Sequence, residues 1–161
     1  MPSISSKKII SFKKAKELAI LFHQKNQKIV FTNGCFDILH RGHIEYLNQA
    51  KSLGKYLIIG LNSDSSVKKL KGEDRPVNNE ADRAFVLSNL KCVDAVIIFS
   101  EDTPYDLISS VKPDYLVKGG DWKEDQIVGS DIVKEYGGKV ISLKFVDSYS
   151  TSNIIERIKK Q

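Results

Sequence analysis

A single doubly wound α/β domain, one parallel sheet with helices on both faces, is the fold class this sequence predicts, and three observations carry it. Five short β-type apolar runs alternate with stretches of helical spacing, which is the pattern of βαβ units. The 161 residues, 41% of them hydrophobic, are enough for one core and hardly for two. Punctuating residues fall between the runs: Thr103-Pro104 stands before one helical stretch as cap and first-turn proline, and Gly137-Gly138 closes another. No internal repeat or low-complexity tract interrupts the pattern, so a Rossmann-like sheet follows.

Taken in order, the first element is Phe12–Lys25, whose Ala15, Leu18, Ala19 and Phe22 share one helical face. Residues 1–26 are therefore expected as an N-terminal helical segment that packs on the domain formed by residues 27–161. The strands are expected at Lys28–Phe31, Tyr56–Leu61, Ala95–Phe99, Asp114–Val117 and Lys139–Leu143. Between them, helical spacing relates Ile44, Leu47 and Ala50-Lys51, and it recurs in Ala81–Leu90, Asp106–Val111 and Val133–Tyr136.

Composition narrows the function. The formal net charge of +5 attracts phosphate, but lysines such as Lys13, Lys14 and Lys16 are scattered, and no basic stripe is interleaved with aromatics. Nucleic acid is thus not the expected partner; phosphorylated metabolites are. No apolar run approaches the roughly 18 residues of a membrane span, and Met1–Lys8 lacks an apolar signal core. A cytoplasmic protein without a membrane partner is expected. Cys35 and Cys92 make neither a disulfide framework nor a Cys-x-x-Cys pair, in keeping with a reducing compartment.

Chemistry concentrates in Ile29–His43, which reads as a strand, a tight polar turn and a helix start. In an open parallel sheet ligands bind where strands end and helix N-termini begin. Gly34 lets the chain approach a phosphate, and the small Cys35 keeps that approach open. His40 and His43, separated by Arg41-Gly42, stand at the helix head, where unpaired N–H groups and the helix dipole favour an anion. Alone, such a pair reads as a solvated helix start, and zinc binding lacks a third ligand at metal spacing. After the strand and turn, phosphate binding is the better reading.

Asn33-Gly34-Cys35-Phe36-Asp37 followed by His40-x-Gly42-His43 resembles the signature of the cytidylyltransferase-like nucleotidylyltransferases. The resemblance extends to Gly119-Gly120-Asp121-Trp122, similar to the family's Gly-Asp-Trp loop, to Ser150-Thr151-Ser152, similar to its late Ser-Thr segment, and to Val93-Asp94 at a strand start. It covers roughly residues 27 to 158. Within the family the likeness is to the adenylyltransferases of ADP-heptose synthesis, seen in Thr32–Asp37, Gly60–Asp64, Arg75-Pro76-Val77-Asn78 and Val117–Asp121.

That resemblance implies the family's nucleotidylyltransferase fold and transfer of AMP from ATP to D-glycero-D-manno-heptose 1-phosphate, a step toward lipopolysaccharide, with magnesium accompanying ATP. It implies a homodimer with its contact near the helix ending at Lys91 and near Val93-Asp94. The length leaves no room for a sugar kinase, so a separate one is expected upstream.

Nucleotidyl transfer needs in-line attack by a phosphate oxygen, for which a protein supplies positioning and charge. His40 and His43 are expected to donate to phosphate oxygens. Thr32, Asn33, Gly34, Cys35, Phe36 and Gly42 would cradle the nucleotide, joined by Gly119, Asp121, Ser150, Thr151 and Ser152. Lys118, ending a strand, would bring its ammonium to the phosphates. Arg83 matches an arginine that in relatives reaches the triphosphate, and Arg75 lies in a loop, Lys71–Pro76, expected to close over substrate.

Asn62, Asp64 and Trp122 are expected at the sugar phosphate, and Asp37 is either a magnesium ligand or a sugar contact. Other readings stand beside these: Asn62-Ser63-Asp64 as turn and helix cap, Gly119–Trp122 as a turn with a packed indole, Ser150–Ser152 as a cap. Cytidylyl relatives usually carry an arginine shortly before the late Ser-Thr segment, and Phe145–Tyr149 has none. This favours ATP over the alternative of a cytidylyltransferase acting on glycerol phosphate or another small phosphorylated substrate, and a non-catalytic nucleotide-binding module would have little reason to keep both histidines, Arg83 and the late hydroxyls together.

Overall fold

Residues 6–144 and 150–160 are described by the computed structural model. The strands are β1 (Ile29–Gly34), β2 (Tyr56–Asn62), β3 (Ala95–Phe99), β4 (Tyr115–Gly119) and β5 (Lys139–Leu143), and the helices are α1 (Phe12–Gln24), α2 (Arg41–Ser52), α3 (Asp64–Lys71), α4 (Glu80–Ser88), α5 (Tyr105–Val111), α6 (Ser130–Glu135) and α7 (Thr151–Lys159). A 3-10 turn, Glu124–Gln126, precedes α6. All strand pairs are parallel, in the order β3-β2-β1-β4-β5.

The alternation of strand side chains splits the core. Ile29, Phe31 and Ile58 point to the face covered by α1, α5 and α6, with Ala15, Ala19, Leu107, Ile108 and Val133 packed on them. Val30, Leu57 and Ile59 point to the other face, where Leu47 and Ala50 of α2 meet Ala84 and Leu87 of α4. Residues before α1 run along the sheet edge, because Val96 N–H donates to Lys8 O and Ile10 N–H donates to Val96 O.

Three strands run further than their apolar runs predict. β1 continues through the polar Asn33-Gly34, paired with Gly60-Leu61, while β2 reaches Asn62 and β4 reaches Gly119. Ladder pairing holds these polar residues extended where hydrophobicity alone ends the strand. α3 is also more than a cap. Ser63 accepts from Ser66 N–H, and Val67 is its one buried aliphatic, too little for a periodic pattern. At α5, Pro104 rather than Thr103 occupies the cap position.

Sheet order makes a switch point between β1 and β4, since the chain crosses to β2 and β3 on one side and then returns to β4 on the other. Tyr46 of α2 ties the two strands there: its hydroxyl donates to Val117 O and bonds Thr32 Oγ1. Polar groups ending β1, β2 and β4 thus emerge together.

Candidate active site

A cavity of about 560 Å³ opens over this switch point, lined by Asn33–Asp37 of the turn, His43 of α2, Asn62 of β2, Lys118 and Gly119 of β4, and Arg75 of the loop before α4. The turn that forms its floor is built around Phe36, which adopts φ 44, a left-handed conformation costly for a residue with a β-carbon. Its ring is buried and lies 5.3 Å from the His43 ring, and a β-carbon on Gly34 would come within 3.0 Å of it. Glycine at position 34 thus lets backbone and ring cross without displacing the Phe36 ring.

His40 precedes α2 as its cap residue with extended φ and ψ and makes no side-chain cap bond. Its ring stacks on that of His43, centroids 3.9 Å apart. Burial, and then the neighbouring His40, push the His43 imidazole down to about 4, and burial lowers His40 as well. Both rings are therefore neutral near pH 7, each with one N–H to donate. His43 Nδ1 is buried without a hydrogen-bond partner among the described residues, so a polar group is already oriented at the helix head.

The sign of the His43 shift gives a stability prediction. Between pH 6.5 and about 4 the unfolded chain binds a proton at this position that the folded chain resists, so stability is present above that window and lost as pH falls through it. The melting temperature of the wild type should fall more steeply from pH 6.5 to 4 than that of His43→Gln. Parallel curves would show that His43 titrates normally.

Lys118 reaches across from β4, its Nζ 3.4 Å from Asn33 Oδ1. Burial lowers its pKa, Cys35 acts against this, and Lys71 lowers it further. The ammonium sits half-dry in the cavity wall, where its charge acts strongly on a bound phosphate. Lys118→Met keeps most of the stem, and kcat should fall about tenfold or more. Unchanged kinetics at low salt would remove Lys118 from the site.

Thr151 and Ser152 line the same cavity, and Thr151 Oγ1 donates to Ile38 O, joining α7 to the turn. Ser150 caps α7, accepting from Asn153 N–H, and with His40 it borders an adjoining cavity of about 490 Å³. Trp122 lines the main cavity with its indole half exposed, Nε1–H donating to Gly119 O and its backbone N–H to Ser142 Oγ.

Other expected contacts are placed differently. The Arg83 guanidinium is fully buried, donating to Cys35 O, Asn62 O, Asn78 O and Asp64 Oδ1. It braces the turn, β2 and α3 from behind and does not line the main cavity, so direct contact with a triphosphate is not its position here. Asp64 is likewise engaged by Arg83. Both Asp37 oxygens accept bonds from Arg75 and from the Val77 and Asn78 backbone, which leaves neither open to a magnesium ion or a sugar. Thr32 is buried with its hydroxyl on Tyr46 and does not line the main cavity.

Gly42 is buried in the first turn of α2, and Asp121 is exposed outside the main cavity lining. Val93 is buried, and the partly exposed Asp94 accepts from Lys51 Nζ and Leu57 N–H. Cavity residues the motifs did not indicate include Lys71, Tyr46 and Thr103. Lys71 is hidden among Lys68, Lys69 and Lys71, and only the helix end at Gly72 marks it; Tyr46 was readable at i+3 from His43.

Residues 31–157 match the family model described as cytidylyltransferase-like. The chain is 54% identical over 158 residues to the protein called "Bifunctional protein HldE" of Aliarcobacter butzleri, covering 98% of this chain and 32% of that one. It is 54% identical over 166 residues to the protein of the same name of Campylobacter jejuni, covering 98% and 35%. The chain thus spans about a third of the length of these relatives. Among solved structures, the lipopolysaccharide core biosynthesis protein from Thermoplasma volcanium superposes with a TM-score of 0.62 at 30% identity, over 77% of this chain and 99% of that one. Pantoate-beta-alanine ligase from Francisella tularensis, at 20% identity and a TM-score of 0.61 over 95% and 79%, shares the fold.

Proposed function

The chain belongs to the cytidylyltransferase-like family, and from that premise we propose that it transfers AMP from ATP to a sugar 1-phosphate, D-glycero-D-manno-heptose 1-phosphate, releasing pyrophosphate. The observation that carries this reading is the convergence of His43, Lys118 and Arg75 on one cavity at the sheet's switch point. Hydrogen-bond donors at a helix head and two cations there suit two phosphorylated substrates brought together. The heptose acceptor is supported by the sequence likeness at Thr32–Asp37 and Arg75–Asn78 and by identity to the bifunctional relatives.

In this reaction a phosphate oxygen of the sugar attacks the α-phosphorus, a new P–O bond forms, and the bond to the bridging oxygen breaks with its electron pair leaving on pyrophosphate. No protein nucleophile is needed. The neutral His40 and His43 hold phosphate oxygens through N–H donors as charge moves toward the leaving group. Lys118 offsets the repulsion between the two substrates, and Arg75 holds the acceptor. A magnesium ion would add charge neutralisation on the triphosphate. Among the described residues no group of three or more His, Cys, Asp or Glu is placed to hold a metal, and Asp37 is engaged, so such an ion would arrive with the nucleotide.

Pyrophosphate release, measured with magnesium, each nucleoside triphosphate and a panel of sugar 1-phosphates, tests the proposal. ATP with the heptose 1-phosphate should give a far higher kcat/KM than CTP. Comparable or better use of CTP would make the protein a cytidylyltransferase. The segment Phe145–Tyr149, whose lack of arginine favours ATP, lies outside the described residues. No helix among the described residues is long and apolar enough to cross a membrane. A homodimer, with its contact near the helix ending at Lys91 and near Val93-Asp94, remains part of the proposal.

A further inference from the structure

We infer that Asp37 is a positioning residue, whose carboxylate fastens residues 72–79 to the turn after β1 and presents the free end of Arg75 to the acceptor's phosphate. The inference rests on the proposed reading only for the identity of that phosphate. Asp37 has a side chain 1% exposed, in the middle of the sequence motif, and both of its carboxylate oxygens are taken up by bonds within the chain. Its bonds all go to one segment about forty positions away. Oδ1 accepts from Val77 N–H and Asn78 N–H, both at 2.9 Å, and Oδ2 accepts from Arg75 Nε at 2.7 Å and from Val77 N–H at 3.0 Å. The Asn78 amide returns a bond to Asp37 O at 2.7 Å. Burial pushes this carboxyl up, but the Asn78 and Val77 N–H groups and Arg75 outweigh it and hold the group ionised.

The consequence falls on Arg75. Asp37 takes the Nε edge of the guanidinium, and the two terminal amino groups make no hydrogen bond to the described residues, while Arg75 lines the main cavity with Lys71 and Lys118. A guanidinium fixed at one edge keeps its planar fork for a second anion, and a phosphate matches that fork. Asparagine in place of Asp37 has nearly the same shape but only one accepting oxygen. Its amide N–H groups would face either Arg75 Nε or the loop's backbone donors, so the fork would lose its orientation without loss of a charge that touches substrate.

Trp122 provides a direct readout, because it is the sole tryptophan of the chain and lines this cavity. Its fluorescence would be followed during titration with inorganic phosphate at fixed ionic strength, in the wild type, Asp37→Asn, Arg75→Gln and the double variant. Each single variant should bind phosphate about tenfold more weakly, and the double variant no more weakly than Arg75→Gln alone. In turnover, the KM for the sugar phosphate should rise similarly in Asp37→Asn while the KM for ATP and kcat change little, a split that a general loss of stability does not produce. Wild-type phosphate affinity in Asp37→Asn, or losses that multiply in the double variant, would overturn the inference. Should Asp37→Asn not fold, Arg75→Lys decides, since it keeps the charge and loses the edge that Asp37 holds: a tenfold loss upholds the inference and wild-type affinity overturns it. A wild type that binds phosphate as described, with the variants behaving as expected, but turns over no sugar 1-phosphate would overturn the proposed reaction and uphold the role of Asp37.

Discussion

His43→Ala is expected to lower turnover about a hundredfold or more while leaving the protein folded, the size of effect seen when one preorganised donor to a transition state is lost. The His43 Nδ1 satisfies nothing among the described residues, so no hydrogen bond at that atom is forfeited on truncation. What is lost is packing against the rings of Phe36 and His40, a cost of about 1–2 kcal/mol. Stability and turnover should therefore separate, the first read by thermal melting and the second by pyrophosphate release at saturating ATP. A variant that unfolds, with its residual folded fraction fully active, would make His43 a structural residue and end the mechanism given above.

Arg83→Met should have the largest effect on stability, about 3–5 kcal/mol measured by urea unfolding. The guanidinium is fully buried, and its removal leaves the carbonyls of Cys35, Asn62 and Asn78 and one oxygen of Asp64 without this donor. A thioether fills the volume but donates nothing, so the buried Asn62 carbonyl loses its donor at the full cost of lost solvation and the part-buried Cys35 and Asn78 carbonyls at a share of it. Since a domain of this size is stable by about 5–15 kcal/mol, the loss is a large fraction of the whole. The experiment also separates two roles. A variant of unchanged stability with a selectively raised KM for ATP would restore Arg83 to the triphosphate, where its place in the sequence first suggested it.

Much of this protein was determined by local patterns and is readable without coordinates. The apolar runs of β2, β3 and β5 coincide closely with the observed strands, because two-sided burial in a parallel sheet demands such runs. The strand, the Gly34 turn and the histidines at the head of α2 lie within 15 consecutive residues from Ile29 to His43, so their proximity is enforced by the chain itself. Lys118 and Gly119 join them because a parallel sheet brings all strand ends to one edge.

Tertiary structure alone decided which polar side chains remain available for chemistry. Asp37, Arg83 and Thr32 stand in or beside the right motifs and look like ligands in sequence. Their hydrogen bonds are instead consumed by groups brought near only by folding: Val77 lies 40 positions from Asp37, Cys35 48 positions from Arg83, and Tyr46 14 positions from Thr32. The same accounting extended β1 and β4 through polar residues and left the terminal amino groups of Arg75 uncommitted. A sequence shows which donors and acceptors exist, whereas their pairing depends on distances of about 3 Å that are settled when the chain packs, and a buried polar group must find its partner there or destabilise the fold.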